Sequence, residues 1–366
     1  MRVERTEFRD NSPEGKFAEW KHTVGLPEQF PKLQTLNDSD LSADGKLYLG
    51  LPHRKAVERI ALGASGAFSL ALVMNEGQGA TTLSRHVFNI IERDSLMRRL
   101  APVSVDVAKL AGVERPAVQL EDEVRFGIVS NLASHEWAYV SMERSKLATL
   151  FGIDESKLGI DSEKNDSALK SRQYLLKAAA NTWKAGDRSE AMGILRDTSV
   201  VLAKADLDVV IQWLSTAGID IKLIVDLSSD SQDESYNTVL KKIHELSEKV
   251  RPPKTPEESW TPSSPLSDVY FGTQEQIELV ARAGRKLEQG RIIEFPAYSN
   301  LDIFAILSKH YKPANEPSLA TVLDPALVDD AHEDGKRLGQ IVYDLEQDIL
   351  EDLSTHNPSY RLAKTK

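Results

Sequence analysis

The chain contains no cysteine in its 366 residues. This absence excludes disulfide bonds, thiolate zinc sites and cysteine nucleophiles, and it fits a reducing compartment. Long apolar runs are missing as well, so no segment has the length that a transmembrane helix requires. The first residues are charged and lack the apolar core of a secretory signal. We therefore expect a cytoplasmic protein with no membrane partner.

Positive charge is in short supply. The 45 lysines and arginines are outnumbered by 56 aspartates and glutamates, which gives a net charge of −11 at pH 7. This balance argues against a protein that coats nucleic acid with its whole surface, although a local basic patch stays open. The apolar fraction of 41% and the charged fraction of 28% are typical of a globular chain that buries a core.

The most informative segment is a glycine-containing loop between a short apolar run and an amphipathic helix. The run 68–74 has the length of a buried strand. Gly77, Gly79 and Thr81 follow it in the pattern of a phosphate-binding loop, whose backbone N–H groups close around phosphates and whose Ser or Thr hydroxyl holds Mg²⁺. Ala80 occupies the position of the lysine in such a loop, so the segment has the loop's shape without its main positive charge.

Strands and helices alternate along most of the chain, which predicts an α/β fold with a largely parallel sheet flanked by helices. Further strands are predicted at 101–107, 219–227, 267–273 and 291–295. The stretch from about 115 to 205 shows only helical patterns and interrupts the alternation. Because such sheets bind ligands at the carboxyl ends of their strands, we expect the loop, Asp226 and Thr273 to share one edge.

These segments resemble, in the same order, those of the AAA+ ATPases, and especially the branch of replication-origin initiators, clamp loaders and transposition regulators. The resemblance covers roughly residues 48–353. The similar segments are the one that approaches adenine (51–55), Walker A (77–83), Walker B (222–227), sensor 1 (270–274), the arginine-finger region (285–307) and the sensor-2 helix (333–341). Each match is weak alone, and their common order makes the resemblance specific.

The resemblance implies an AAA+-like P-loop sheet with a helical insertion and a small C-terminal helical lid. It divides the chain into an N-terminal arm (1–47), a nucleotide-binding core (48–312, with the insertion at about 115–205), a lid (313–353) and a polar tail (354–366). It also implies bound ATP or ADP with Mg²⁺, and a homo- or hetero-oligomer with AAA+ or other protein subunits. Nucleic acid stays open as a further partner.

The resemblance also implies a set of site residues. Those expected at the nucleotide are Gly77, Gly79, Ala80, Thr81, Thr82 and Arg337, the last as sensor 2. Those expected at the metal are Thr81 and Asp226, and those expected to act in catalysis are Asp226, Thr273 as sensor 1 and Arg285 as arginine finger.

Two departures from the family pattern bear on catalysis. Ala80 cannot neutralise phosphate charge, and Leu227, which stands where the family has a glutamate, cannot orient the attacking water. Groups of this kind commonly contribute several kcal/mol to the transition state, so we expect hydrolysis to be slow or absent. The leading hypothesis is a catalytically impaired AAA+ subunit with a structural or regulatory role in a multi-subunit, nucleic-acid-associated machine.

Alternatives stay open at each level. The chain is either such a degenerate subunit, an active ATPase whose loop lysine has been replaced by Ala80, or an interaction module that binds no nucleotide. Asp226 has the alternative role of capping the next turn through Ser228 or Ser229. Thr273 has the alternative of being an ordinary threonine at the end of a strand, and Arg285 that of being a solvated residue on a helix.

The basic helices at 167–204 allow two interpretations. They form a nucleic-acid surface with Tyr174 and Trp183 as stacking groups, or a solvated face whose aromatic residues pack inward. The second interpretation is favoured, because charged helix faces are usually solvated.

Overall fold

A computed structural model describes most of the chain: residues 12–31, 50–64, 69–134, 143–155, 162–228, 233–250, 265–285, 287–311, 318–323, 328 and 338–355. The strands are β1 (Leu70–Val73), β2 (Leu100–Asp106), β3 (Asp220–Asp226), β4 (Leu266–Gly272) and β5 (Ile292–Glu294). The helices are α1 (Pro13–Val24), α2 (Leu51–Ala64), α3 (Ala80–Arg98), α4 (Val107–Ala111), α5 (Pro116–Ser134), α6 (Arg144–Phe151), α7 (Ser162–Lys184), α8 (Arg188–Thr198), α9 (Val200–Lys204), α10 (Leu207–Thr216), α11 (Glu234–Lys249), α12 (Gln274–Arg282), α13 (Asn300–His310) and α14 (Leu338–Thr355).

The strands form an all-parallel sheet in the order β2-β3-β4-β1-β5. β4 lies between β1 and β3, and the register places Val73 beside Gly272 and Asp226 beside Phe271. The carboxyl ends of these three strands therefore lie side by side. This confirms the predicted parallel sheet. It also confirms that β1, β4 and β3, which lead into the loop, Thr273 and the turn after Asp226, end at the same edge of the sheet.

In the described residues between β2 and β3, every element of regular secondary structure is a helix, as the pattern at 115–205 predicted. α5 packs on β2, and α7 packs on both α5 and α8. Ser199 separates α8 from α9, and its hydroxyl accepts the N–H of Leu202 at 3.2 Å and caps α9. A serine that bonds to nearby backbone in this way competes with the continuous helix.

The chain forms two compact units. One contains the sheet and consists of residues 56–74 and 83–294; the other consists of 1–55, 75–82 and 295–366. In the described residues, no helix combines the length and the apolar composition that a membrane span needs.

Part of the segment predicted as an N-terminal arm is helical. Ser12 caps α1 by accepting the N–H of Gly15 at 3.0 Å, and Gly25 ends the helix with a φ of +75°. α1 packs against α14, and Trp20 stacks on Phe17 with ring centroids 5.9 Å apart. The helix forms because its few apolar residues share one face and are buried against this neighbour.

Candidate functional site

The predicted phosphate loop is a tight connection between β1 and α3. Gly77 and Gly79 have φ angles of +78° and +86°, a region that glycine adopts without strain. Gln78 between them is buried, and its side-chain oxygen accepts the N–H of Asn75 at 2.8 Å. The N–H of Gln78 in turn donates to the carbonyl of Asn75 at 3.2 Å. The loop is therefore held in shape by its own side chain, a role for Gln78 that the sequence analysis missed.

The first turn of α3 presents an environment suited to an anion. The helix begins at Ala80, and its first turn contains no acidic residue, so the positive end of its dipole is not neutralised there. Thr81 and Thr82 are half-buried in the same turn. A Cβ placed on Gly79 would meet the Cβ of Thr82 at 3.9 Å and nothing closer, so backbone conformation rather than crowding requires glycine there. Backbone N–H groups at such a helix start bind phosphate without a lysine.

Asp226 ends β3 and is buried, and it caps the turn that follows. Its Oδ1 accepts the N–H of Ser228 at 3.0 Å, which is the alternative role stated for this residue. A carboxylate accepts several hydrogen bonds, so capping is compatible with a water-mediated Mg²⁺ contact. The described residues contain no cluster of three or more His, Cys, Asp and Glu side chains placed to bind a metal. A Mg²⁺ ion would therefore need phosphate oxygens and water among its ligands, as is usual for Mg²⁺.

Leu227 follows Asp226 and belongs to the core. Its side chain is fully buried, and its N–H donates to the carbonyl of Phe271 at 2.9 Å. A Cβ added to Gly272 would lie 2.9 Å from the Cβ of Leu227, so the two strand ends are in close contact. A glutamate here would bring a charge into this packed position. The structure thus gives the residue at the glutamate position a packing role.

Thr273 begins α12 through a capping box. Its hydroxyl accepts the N–H of Gln276 at 3.3 Å, and the Gln276 side chain accepts the N–H of Thr273 at 2.9 Å. The residue is therefore a helix cap directly after β4. A hydroxyl that accepts one hydrogen bond can still donate another, so the sensor-1 role stays a prediction.

Arg285 lies in a different place from the one that an arginine finger requires. Its side chain is 8% exposed and forms an ion pair with Asp268, with Nη2 2.9 Å from Oδ2. The same guanidinium donates to the hydroxyl of Ser69. A finger must extend to a neighbouring subunit, whereas this side chain joins the segments before β1 and within β4. Arg282 on the preceding helix is exposed and lies 3.8 Å from Glu278.

Asp268 is the centre of a buried polar network that the sequence analysis did not find. Besides Arg285, it accepts the hydroxyl of Tyr270 at 3.2 Å and that of Ser247 at 3.5 Å. Lys222 on the adjacent strand β3 is fully buried beside this network. Burial lowers the pKa of Lys222 to about 7; the charge of Asp268 opposes this shift and that of Arg285 adds to it. The sequence signal was a charged residue in the interior of each of two largely apolar strands.

The structure thus brings together some predicted site residues and separates others. Asp226 and Thr273 occupy neighbouring strand ends, and β1 leads from the same edge into the loop. Arg285 is removed from this edge by its ion pair with Asp268. Arg337, with most of the predicted sensor-2 segment, lies outside the described residues. Neither a comparison with protein-family models nor one with curated proteins finds a match to this chain.

Proposed function

We propose that this protein is an AAA+-like subunit that binds ATP or ADP and hydrolyses ATP slowly or not at all. It would act as a structural or regulatory component of a multi-subunit, nucleic-acid-associated assembly. The observation that carries the proposal is the loop 75–82, which combines two glycines of positive φ with a helix start at the carboxyl end of a parallel strand. Parallel α/β sheets bind their ligands at this edge.

The residues present fit the binding of phosphates. The N–H groups of residues 77–82 and the start of α3 would hold the phosphates, because both present positive partial charge. The hydroxyl of Thr81 is the proposed Mg²⁺ ligand in the loop, and the water-mediated contact of Asp226 to the ion stays a prediction of the resemblance. A bound nucleotide would supply the phosphate oxygens that complete the ion's coordination.

The same residues do not fit rapid hydrolysis. Ala80 provides no cation for the β- and γ-phosphates, and the buried Leu227 provides no acceptor for a proton of the attacking water. Both losses act on the transition state more than on the bound ground state. Nucleotide would therefore serve to stabilise a conformation and not to drive turnover.

Isothermal titration calorimetry with ATP and Mg²⁺ tests the nucleotide site. We expect saturable binding to the natural chain, and binding about tenfold tighter in Ala80→Lys, because a lysine adds a charge-assisted hydrogen bond to phosphate. Ala185→Lys is the matched control: it adds the same charge at an exposed position outside the loop and should leave the affinity unchanged. A chain that binds neither ATP nor ADP at millimolar concentration would be an interaction module instead.

Phosphate release measured on the same two variants separates the impaired subunit from an active ATPase with a substituted lysine. We expect Ala80→Lys to remain slow, since Leu227 still leaves the attacking water unoriented. Brisk turnover in Ala80→Lys would show that the lysine was the one missing group and would contradict the proposal.

A further inference from the structure

One face of α7 combines exposed lysines with an exposed aromatic ring. Between residues 169 and 184, the exposed residues of this helix are Lys170, Ser171, Tyr174, Lys177, Asn181 and Lys184. All except Ser171 follow a spacing of three or four residues, which places them along one side of a helix. The face contains three lysines and no carboxylate, in a chain whose net charge is −11.

The structure separates the two aromatic residues that the sequence had grouped together. Trp183 is buried and stacks on Phe126, with ring centroids 4.2 Å apart and planes 8° from parallel. Its indole N–H donates to Glu123 at 3.2 Å, so it belongs to the core of the helical region. Tyr174, in contrast, is 74% exposed, and its ring is available to a partner. Inward packing therefore holds for Trp183 and fails for Tyr174.

The lysines of this face have positions suited to a linear polyanion. Lys170, Lys177 and Lys184 recur every seven residues, so successive Cα atoms are about 10 Å apart along the helix axis. In the described part of the chain, neither Lys177 nor Lys184 forms an ion pair with a carboxylate. α7 also contains Glu163 and Asp166 in its first two turns, and Asp187 and Glu190 follow its carboxyl end, so the section from 169 to 184 contains lysines and no carboxylate.

We propose that the exposed face of α7 binds single-stranded nucleic acid, with Lys177 and Lys184 contacting phosphates and Tyr174 stacking on a base. Stacking requires a base that is not already stacked and paired in a duplex, which is why the single-stranded form is favoured. An anionic membrane fits less well, because an interfacial helix needs an apolar face to insert and this face has one aromatic ring among polar side chains.

This proposal does not depend on the phosphate loop. The α7 face belongs to the unit of residues 56–74 and 83–294, and the loop belongs to the other unit. Loss of ATP binding would leave the α7 proposal intact, and loss of oligonucleotide binding would leave the nucleotide proposal intact. The two assays therefore fail separately.

Fluorescence anisotropy of a labelled oligothymidine with the full chain tests the proposal. At low salt we expect saturable binding, tighter than to a duplex of the same length. The charge variant Lys177→Gln with Lys184→Gln should weaken it about tenfold and reduce the salt slope by about 1.4, or about 0.7 for each lost phosphate contact. The ring variant Tyr174→Ala should weaken oligonucleotide binding about tenfold with an unchanged salt slope. Tyr174→Phe keeps an aromatic ring and should retain the affinity of the natural chain.

Matched controls lie elsewhere on the protein. Lys241→Gln with Lys249→Gln removes two exposed lysines from α11, and Tyr343→Ala removes an exposed ring from α14; neither should change the affinity. The substitutions are at exposed positions, so circular dichroism should report an unchanged fold for every variant.

Three outcomes would overturn the proposal. The first is the absence of oligonucleotide binding at low salt, where phosphate contacts are strongest. The second is an α7 variant that binds as the natural chain does, or control variants that lose binding equally. The third is binding to vesicles containing phosphatidylserine without binding to the oligonucleotide, which would identify a membrane surface.

Discussion

Replacement of Asp268 by alanine is expected to lower the free energy of unfolding by about 3–5 kcal/mol, the usual effect of removing one partner of a buried ion pair. Asp268 is fully buried, 2.9 Å from the Arg285 guanidinium and beside the fully buried Lys222. Its loss leaves the buried Arg285 guanidinium without the carboxylate that it pairs with, and removes the charge that opposes the lowered pKa of Lys222. A loss of this size is a large fraction of the stability of a typical domain.

Urea unfolding followed by circular dichroism measures this loss. Asp268→Asn should be affected less than Asp268→Ala, because the amide still accepts hydrogen bonds, and it provides a measurement if the alanine variant does not fold. The matched control is Glu278→Ala, which breaks the exposed pair with Arg282 and should cost no more than about 0.5 kcal/mol. An Asp268→Ala variant within about 1 kcal/mol of the natural chain would mean that the network does not hold the sheet together.

The network around Asp268 joins two strands that lead into the candidate site. Arg285 joins Asp268 in β4 to Ser69, the residue before β1, at the amino-terminal half of both strands. The carboxyl ends of the same strands lead into the phosphate loop and Thr273. The network thus fixes two strands whose other ends carry predicted site residues.

The arrangement of the sheet was predictable from the sequence because its strands are short apolar runs separated by amphipathic helices. β3 and β4 are buried along nearly their whole length, as strands of a covered parallel sheet are. Parallel pairing then places Asp226 and Thr273 at one edge without any information about side-chain contacts. The bounds of β3 agree with the predicted strand at 219–227 to within about one residue, because β-branched residues mark the strand.

The local roles of polar residues were not predictable in the same way. The spacing of Arg285 is compatible with an exposed helix end or with a buried pair, and only the position of Asp268 on a neighbouring strand decides between them. Gln78 has no periodic signal, because its hydrogen bond to Asn75 depends on the φ angles of the glycines around it. Sequence periodicity reports which face a residue occupies, whereas these roles depend on partners distant in the chain or on loop conformation.

The free energy of unfolding is expected to rise with pH between about pH 7.5 and 9, because Lys222 titrates at a lower pH in the folded chain than in the unfolded chain. The pKa of Lys222 is lowered to about 7 in the folded chain, against an ordinary value of 10.5. Below pH 7 the folded state carries a buried cation. Above it the folded state is neutral while the unfolded chain still binds the proton, so raising the pH favours folding.

The expected slope is about 1.4 kcal/mol per pH unit for a single group titrating in only one of the two states. Burial raises the pKa of Tyr236 and Tyr270, with the charges of Asp226 and Asp268 adding to the respective shifts. These tyrosines act with the opposite sign near pH 10, where the unfolded chain loses its tyrosine protons first. The measurement is therefore confined to pH values below about 9.5.

Lys222→Met isolates the contribution of this lysine. Methionine has a similar length and no charge, so the variant should lose the slope and should be more stable than the natural chain below pH 7, where the buried cation is costly. Lys241→Met changes an exposed lysine on α11 and should keep the slope of the natural chain. Urea midpoints at a series of pH values give both results. Parallel pH profiles for Lys222→Met and the natural chain would show that Lys222 remains charged in the folded protein, and that the Asp268 network contains two cations at neutral pH.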